Sequence, residues 1–158
     1  GGLAHIGLNL FSLRSVGPDL ERWYGPERTL GVYVAAGAAG NAFSCVFSPV
    51  SLSVGASGAV CGLVGALAVH YARHHHIFGD RSIGVLENIS KVVVVNALVG
   101  LLPGSGIDNW AHLGGFLGGA ATGYLIGCRF TPQRDRLGRV RKYQDTPLLP
   151  VPTFFPRS

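Results

Sequence analysis

Residues 29–72 read TLGVYVAAGAAGNAFSCVFSPVSLSVGASGAVCGLVGALAVHYA, 44 residues without one Asp, Glu, Lys or Arg. A helix of about 20 apolar residues crosses the roughly 30 Å hydrocarbon core of a bilayer, so a run of this length crosses twice, turning near Ser48 and Pro49. The pattern repeats outward, since 92–107 and 109–128 also lack those four residue types. Over all 158 residues the hydrophobic share is 47%, the charged share is 13% and 24 residues are glycine. Soluble domains carry about 25% charge and about 7% glycine. This balance excludes an ordinary water-soluble enzyme and implies an all-α, polytopic transmembrane helix bundle.

Five apolar segments separate at polar punctuation: Leu3 through Leu13, Thr29 to Val46, Ser57 to Tyr71, Ile89 to Leu102, and Asn109 to Gly127. Lys and Arg stay on the side from which a span is inserted. Arg14, Arg22 and Arg28 follow the first segment, Arg73, Arg81 and Lys91 the third, and Arg129, Arg134, Arg136, Arg139, Arg141, Lys142 and Arg157 the fifth; the connections after the second and fourth hold none. The alternation fits five crossings, with the first, third and fifth running inward from the outer face. The net charge of +5 is then a topogenic signal, and no nucleic-acid partner is expected.

The sequence therefore predicts a membrane domain over 1–128 and a basic tail over 129–158. The tail holds five of the nine prolines and reads as an exposed, poorly folded extension. No Met occurs, even at position 1, which predicts a natural start upstream. Cys45, Cys61 and Cys128 have no metal-ligand spacing and read as small packing residues; His74, His75 and His76 read as a solvated loop. Neither a metal nor a cofactor is expected.

Polar side chains within spans are costly, and each is a functional hypothesis by default. Few exist here, and within the outer third of the inward-running segments lie His5 and Asn9 on the first, Ser57 at the head of the third, and Asn109 and His112 at the head of the fifth. The inferred topology puts all of them near one membrane face. Ser57 lies in Gly55-Ala56-Ser57-Gly58, where a glycine-flanked turn becomes a helix whose free amides can receive an oxyanion. A serine hydroxyl there can attack a carbonyl if a base takes its proton, and His112, about one turn into the last segment, matches it in depth. Gly115, Gly119, Gly123 and Gly127 form a four-residue ladder below His112, and Gly58, Gly62 and Ala66 form another below Ser57. Small residues at that spacing let two membrane helices approach closely. His5 and Asn9 share one helix face and can both donate to an oxyanion. Asp108 is the sole acid at this depth and precedes the helix, so a Ser/His dyad is expected rather than a triad. Taken singly, Ser57 also reads as a helix cap, His112 as a packing residue, and the ladders as those of a glycine-rich transporter.

Gly55-Ala56-Ser57-Gly58, Ala111-His112-Leu113-Gly114-Gly115 with Gly118-Gly119, and His5-Ile6-Gly7-Leu8-Asn9 together resemble the rhomboid intramembrane serine proteases over about residues 1–128. The resemblance implies cleavage of membrane-protein substrates near the outer end of their transmembrane segments. It implies Ser57 as nucleophile, His112 as base and then acid, and His5 and Asn9 as oxyanion donors. Gly55, Gly58, Gly115 and Gly119 would frame the dyad, and the lipid bilayer would be the working medium. The family core has six spans, which implies that the first span and its loop are absent from this chain. The position four after the serine is often an aromatic that packs on the histidine; here it is Cys61. Val54 to Ala59 and Ile107 to His112 look most like the plastid and cyanobacterial branch, which implies a chloroplast membrane. Two alternatives stay open: an inactive relative that holds membrane clients, and a glycine-rich channel or transporter subunit. The latter would spread polar groups through the bilayer midplane, whereas here they cluster near one face.

Overall fold

A computed structural model describes residues 3–48, 56–102, 104–152 and 154; for 3–5 and 8 only the helical backbone is described. The chain forms helices α1 (Leu3–Tyr24), α2 (Pro26–Phe47), α3 (Ser57–Arg73), α4 (His75–Phe78), α5 (Asp80–Gly100) and α6 (Asn109–Ile126). Strands β1 (Phe130–Arg134) and β2 (Val140–Asp145) follow. The all-α bundle read from the charge-free stretches is the architecture of residues 3–126. α2 and α5 are long and apolar enough to cross a membrane.

The helices outrun the apolar segments. Arg14 and Arg22 lie inside α1, and Arg81 and Lys91 inside α5, which starts nine residues before the expected Ile89. Long basic side chains can leave a helix end for the interface while their stems stay on the apolar surface, so charge alone does not stop a helix. The first connection shrinks to Gly25, whose φ of 79° suits glycine, with Pro26 at the first position of α2.

α2, α3 and α6 pack around one another through small residues. A Cβ on Gly58 would stand 3.1 Å from the carbonyl oxygen of Ala111, and one on Gly40 2.7 Å from the same oxygen. One on Gly115 would stand 2.9 Å from the Cα of Gly58, and one on Gly123 2.8 Å from the Cβ of Ala66. The ladders on α3 and α6 thus face each other, as their spacing predicts. A third lies on α2, where Val32, Ala36, Gly40 and Ser44 are buried at steps of four. Side chains pointing away from the junction are large and apolar: Leu30 and Val34 on α2, Val92–Val95, Leu98 and Val99 on α5, Leu113, Leu117 and Leu125 on α6. So much exposed aliphatic surface is untenable in water and fits lipid.

The end of the bundle away from Ser57 holds the densest packing. Tyr24 donates its hydroxyl toward the carbonyl oxygens of Ala66 and Gly123, 3.3 Å from each. Trp23, His70, Phe78 and Phe130 stack around one another. Arg28, only 4% exposed, donates to Asp145 at 2.7 Å, joining the head of α2 to the end of β2.

Two expectations are corrected here. The tail is not a poorly folded extension: β1 and β2 pair antiparallel, Thr146 donates its amide to Arg129 at 2.9 Å, and Leu149 donates to Leu125 at 2.9 Å. Phe154 donates its amide to the Glu27 carboxylate. Tail donors thus meet acceptors on α6 and α2, and a buried Arg28 fixes Asp145. His74 is not solvated either, being 1% exposed. Its Nδ1 meets the His70 carbonyl at 2.8 Å, and its Nε2 accepts the Phe130 amide at 3.1 Å. The second bond requires an unprotonated Nε2, so the ring must be neutral.

Burial lowers the His74 imidazole below the ordinary histidine range. The bond to the His70 carbonyl opposes this, Arg73 and His76 add to the lowering, and Asp145 opposes it. A lowered folded-state value means that the unfolded chain binds the proton first. The stabilisation is complete above the unfolded value of about 6.5 and is lost progressively as pH falls toward the folded one. The thermal midpoint is therefore expected to drop between pH 7 and pH 5, and His74→Phe is expected to flatten that slope. Unfolding curves across the range check this, and an unchanged slope in the variant would remove His74 as the cause.

Candidate active site

Ser57 is the first residue of α3 and half-buried. The N-cap Ala56 offers no side-chain cap, so the α3 amides are not spent on one. His112 is the fourth residue of α6, half-buried, with its Nδ1 shut off from solvent. The backbone contact between α3 and α6 falls one residue from each, because Gly58 meets Ala111 and Gly115. A Cβ on Gly119 would overlap Gly62, so the two helices stay closely apposed a turn further down. Ser57 and His112 are therefore on adjoining helix heads.

The head of α6 is fixed from three sides. Asp108 caps it, accepting the Ala111 amide at 3.0 Å, and its other oxygen accepts the Ser44 hydroxyl of α2. Burial alone would raise the Asp108 carboxyl. The hydrogen bonds from Ser44, Ala111 and Trp110, with the nearby His112, prevail and hold it below the usual carboxylate range. Trp110 stacks on Phe47 of α2 with ring centroids 4.9 Å apart. Asn109 donates to the Ala97 carbonyl of α5 at 3.2 Å. The capping Asp was legible as a polar residue before an apolar run. Its Ser44 partner, 64 residues away, was missed, and its only signal was its place four residues beyond Gly40 on the α2 ladder.

A cavity of about 420 Å³ opens beside His112 between α3, α5 and α6, walled by Cys61, Trp110 and Phe116 with Val93 and Asn96 of α5. Cys61 stands one helical turn below Ser57, at the position where an aromatic was expected from the resemblance. A thiol fills less space than a ring, and the cavity lies at that place. Asn96 donates to the Val92 carbonyl of its own helix at 2.8 Å, so the chamber wall is mainly apolar.

Asn9 is half-buried on α1, which packs against α3 and α2. Among the described residues no hydrogen bond joins Asn9 to Ser57. The side chain of His5, one turn earlier on α1, is outside the described structure, and Gly55 lies outside the described residues.

Residues 1–129 match the family model for the Rhomboid domain. The chain belongs to the rhomboid family. RHOMBOID-like protein 4 of Arabidopsis thaliana is 36% identical over 127 residues, covering 80% of this chain and 30% of that protein. The rhomboid protease GluP of Bacillus subtilis is 41% identical over 126 residues, 80% of this chain and 24% of that protein. Inactive RHOMBOID-like protein 8 of Arabidopsis thaliana is 35% identical over 116 residues, 73% of this chain and 32% of that protein. This rhomboid chain thus spans about a quarter to a third of the length of these relatives. It is an integral membrane protein, as its family is, and its helices α2 and α5 are long and apolar enough to span a bilayer. The match ends where the β1–β2 hairpin begins, so the hairpin lies beyond the shared domain.

Proposed function

We propose that this rhomboid is an intramembrane serine endopeptidase that cleaves transmembrane segments of membrane proteins. The observation that carries the reading is the Gly58–Ala111–Gly115 backbone contact, which holds Ser57 and His112 on adjoining helix heads. In the first step His112 takes the Ser57 proton as Oγ bonds to the peptide carbonyl carbon. The amides at the start of α3, with His5 and Asn9, receive the oxyanion. His112 then returns the proton to the leaving amine as the C–N bond breaks, leaving an ester on Ser57. Water, deprotonated by His112, hydrolyses the ester and regenerates the hydroxyl. Geometry at a catalytic pair commonly tightens only in the substrate complex, so these roles call for adjoining helix heads in the free protein.

A second reading, an inactive relative that binds membrane clients, is favoured by the 35% identity to a protein named inactive. A fluorophosphonate separates the two. The chain reconstituted in vesicles is expected to form an adduct that Ser57→Ala abolishes. Absence of an adduct on well-folded protein would refute the protease and leave the client-binding reading.

A further inference from the structure

We propose that the β1–β2 hairpin is a docking element for anionic lipid headgroups, laid against the bilayer at the end of the bundle away from Ser57. The inference does not depend on the protease reading, since it uses only the membrane domain and the hairpin that follows it.

The hairpin has two unlike faces. Its register pairs Phe130 with Asp145 and Pro132 with Tyr143, side chains two apart along a strand share a face, and a register shift between Gln133 and Arg134 then sets Val140 opposite Arg134. The root of that face is turned to the bundle, because Phe130 stacks on Trp23 and His74 and Asp145 pairs with Arg28. Beyond the root the same face continues as Pro132 and Tyr143, and past the register shift as Arg134 and Val140, all exposed; Tyr143 is 48% exposed and Val140 43%. The other face is polar: Thr131 and Gln133 on β1, Lys142 and Gln144 on β2. A face that packs on a membrane-embedded bundle at its root meets the headgroup layer where it passes the bundle's edge.

The turn at the far end is built to present charge around one apolar side chain. Asp135 accepts the amides of Leu137 at 2.9 Å and Arg139 at 3.0 Å, and Gly138 adopts a φ of 77°. Leu137 is thereby held 77% exposed between Arg136 and Arg139. From Arg129 to Asp145 the segment carries Arg129, Arg134, Arg136, Arg139, Arg141 and Lys142 against Asp135 and Asp145. Asp145 is already taken by Arg28, and Asp135 is engaged by two amides and by Arg141 at 3.8 Å. The free surface is therefore cationic with Leu137, Tyr143 and Val140 set into it. That pairing of basic groups with amphipathic and aliphatic side chains suits an anionic lipid surface, where each Lys or Arg near the headgroups raises partition about fivefold.

The test uses the whole chain reconstituted in phosphatidylcholine vesicles with and without about 30% phosphatidylglycerol, an anionic fraction that sets up the surface potential. An environment-sensitive thiol dye is placed on Leu137→Cys in a Cys45→Ala background, the Cys45→Ala parent supplies the background signal, and headgroup spin-labelled lipid is the quencher. Quenching is expected to be several-fold stronger on anionic vesicles and to vanish at about 0.5 M salt, where screening is short-ranged. Arg136→Gln with Arg139→Gln is expected to lower the docked fraction at least tenfold, and Arg136→Lys with Arg139→Lys to keep it. Equal quenching on both vesicle types at low salt would overturn the proposal, as would quenching on anionic vesicles that ignores salt and charge removal.

Discussion

His112→Ala is expected to lower cleavage of a reconstituted transmembrane substrate by about 10⁴-fold or more while leaving the fold nearly intact. A serine hydroxyl is a weak nucleophile until a base removes its proton, and loss of one member of such a pair costs about 10⁴ to 10⁶ in turnover. The structural cost is small because neighbours of His112 hold the head of α6. Asp108 caps the helix, Trp110 stacks on Phe47, and Asn109 reaches Ala97. His112 borders a cavity, so truncating it enlarges an existing space rather than opening a new one in the core. Stability is expected to change by no more than about 1 kcal/mol. Cleavage rate and unfolding curve on the same preparation check both halves. Cleavage within tenfold of the parent would end the dyad assignment, and joint loss of fold and rate would make His112 a packing residue.

The parts of this arrangement that were legible in the sequence are those governed by local periodicity. Charge-free runs marked the spans, and four-residue spacing marked the α3 and α6 faces that meet. A helical face, however, does not say which other face it will join. Ser44 was one more small residue on α2 until Asp108 was seen to accept its hydroxyl across 64 residues. Arg28 has the sequence position of a charge marking a loop, yet it is buried, and the carboxylate that makes this tolerable lies 117 residues on, in the tail. The tail was misread for the same reason. Its prolines and arginines have the composition of a disordered segment, but its ordering depends on His74, Arg28 and α6 acceptors that composition does not register. Cys61 departs from the aromatic expected there, but the cavity beside it depends on where α5 lies, which local periodicity does not encode.

Gly119→Ala should destabilise the protein by about 3 kcal/mol, the upper part of the usual range for overpacking, although the same change elsewhere in the chain should help it. A Cβ on Gly119 would overlap the carbonyl oxygen and Cα of Gly62. Both belong to helix backbone, so no side-chain rotation can relieve the clash and α6 must move away from α3. Gly65 lies a turn beyond Gly62, and its own Cβ would stand 3.1 Å from the Phe116 carbonyl carbon, so the separation cannot be taken up by sliding the helices. Because the Gly58–Ala111 contact belongs to the same interface, moving α6 also draws His112 from Ser57, and cleavage should fall along with stability. Gly84 on α5 is the internal control. Nothing lies within 4 Å of a Cβ built there, and alanine is favoured over glycine inside a helix by up to about 1 kcal/mol. Gly84→Ala is thus expected to be neutral or slightly stabilising with cleavage unchanged. Unfolding of both variants in one detergent decides the matter, and a Gly119→Ala midpoint equal to that of Gly84→Ala would mean that α3 and α6 are further apart in the membrane than their glycine ladders allow.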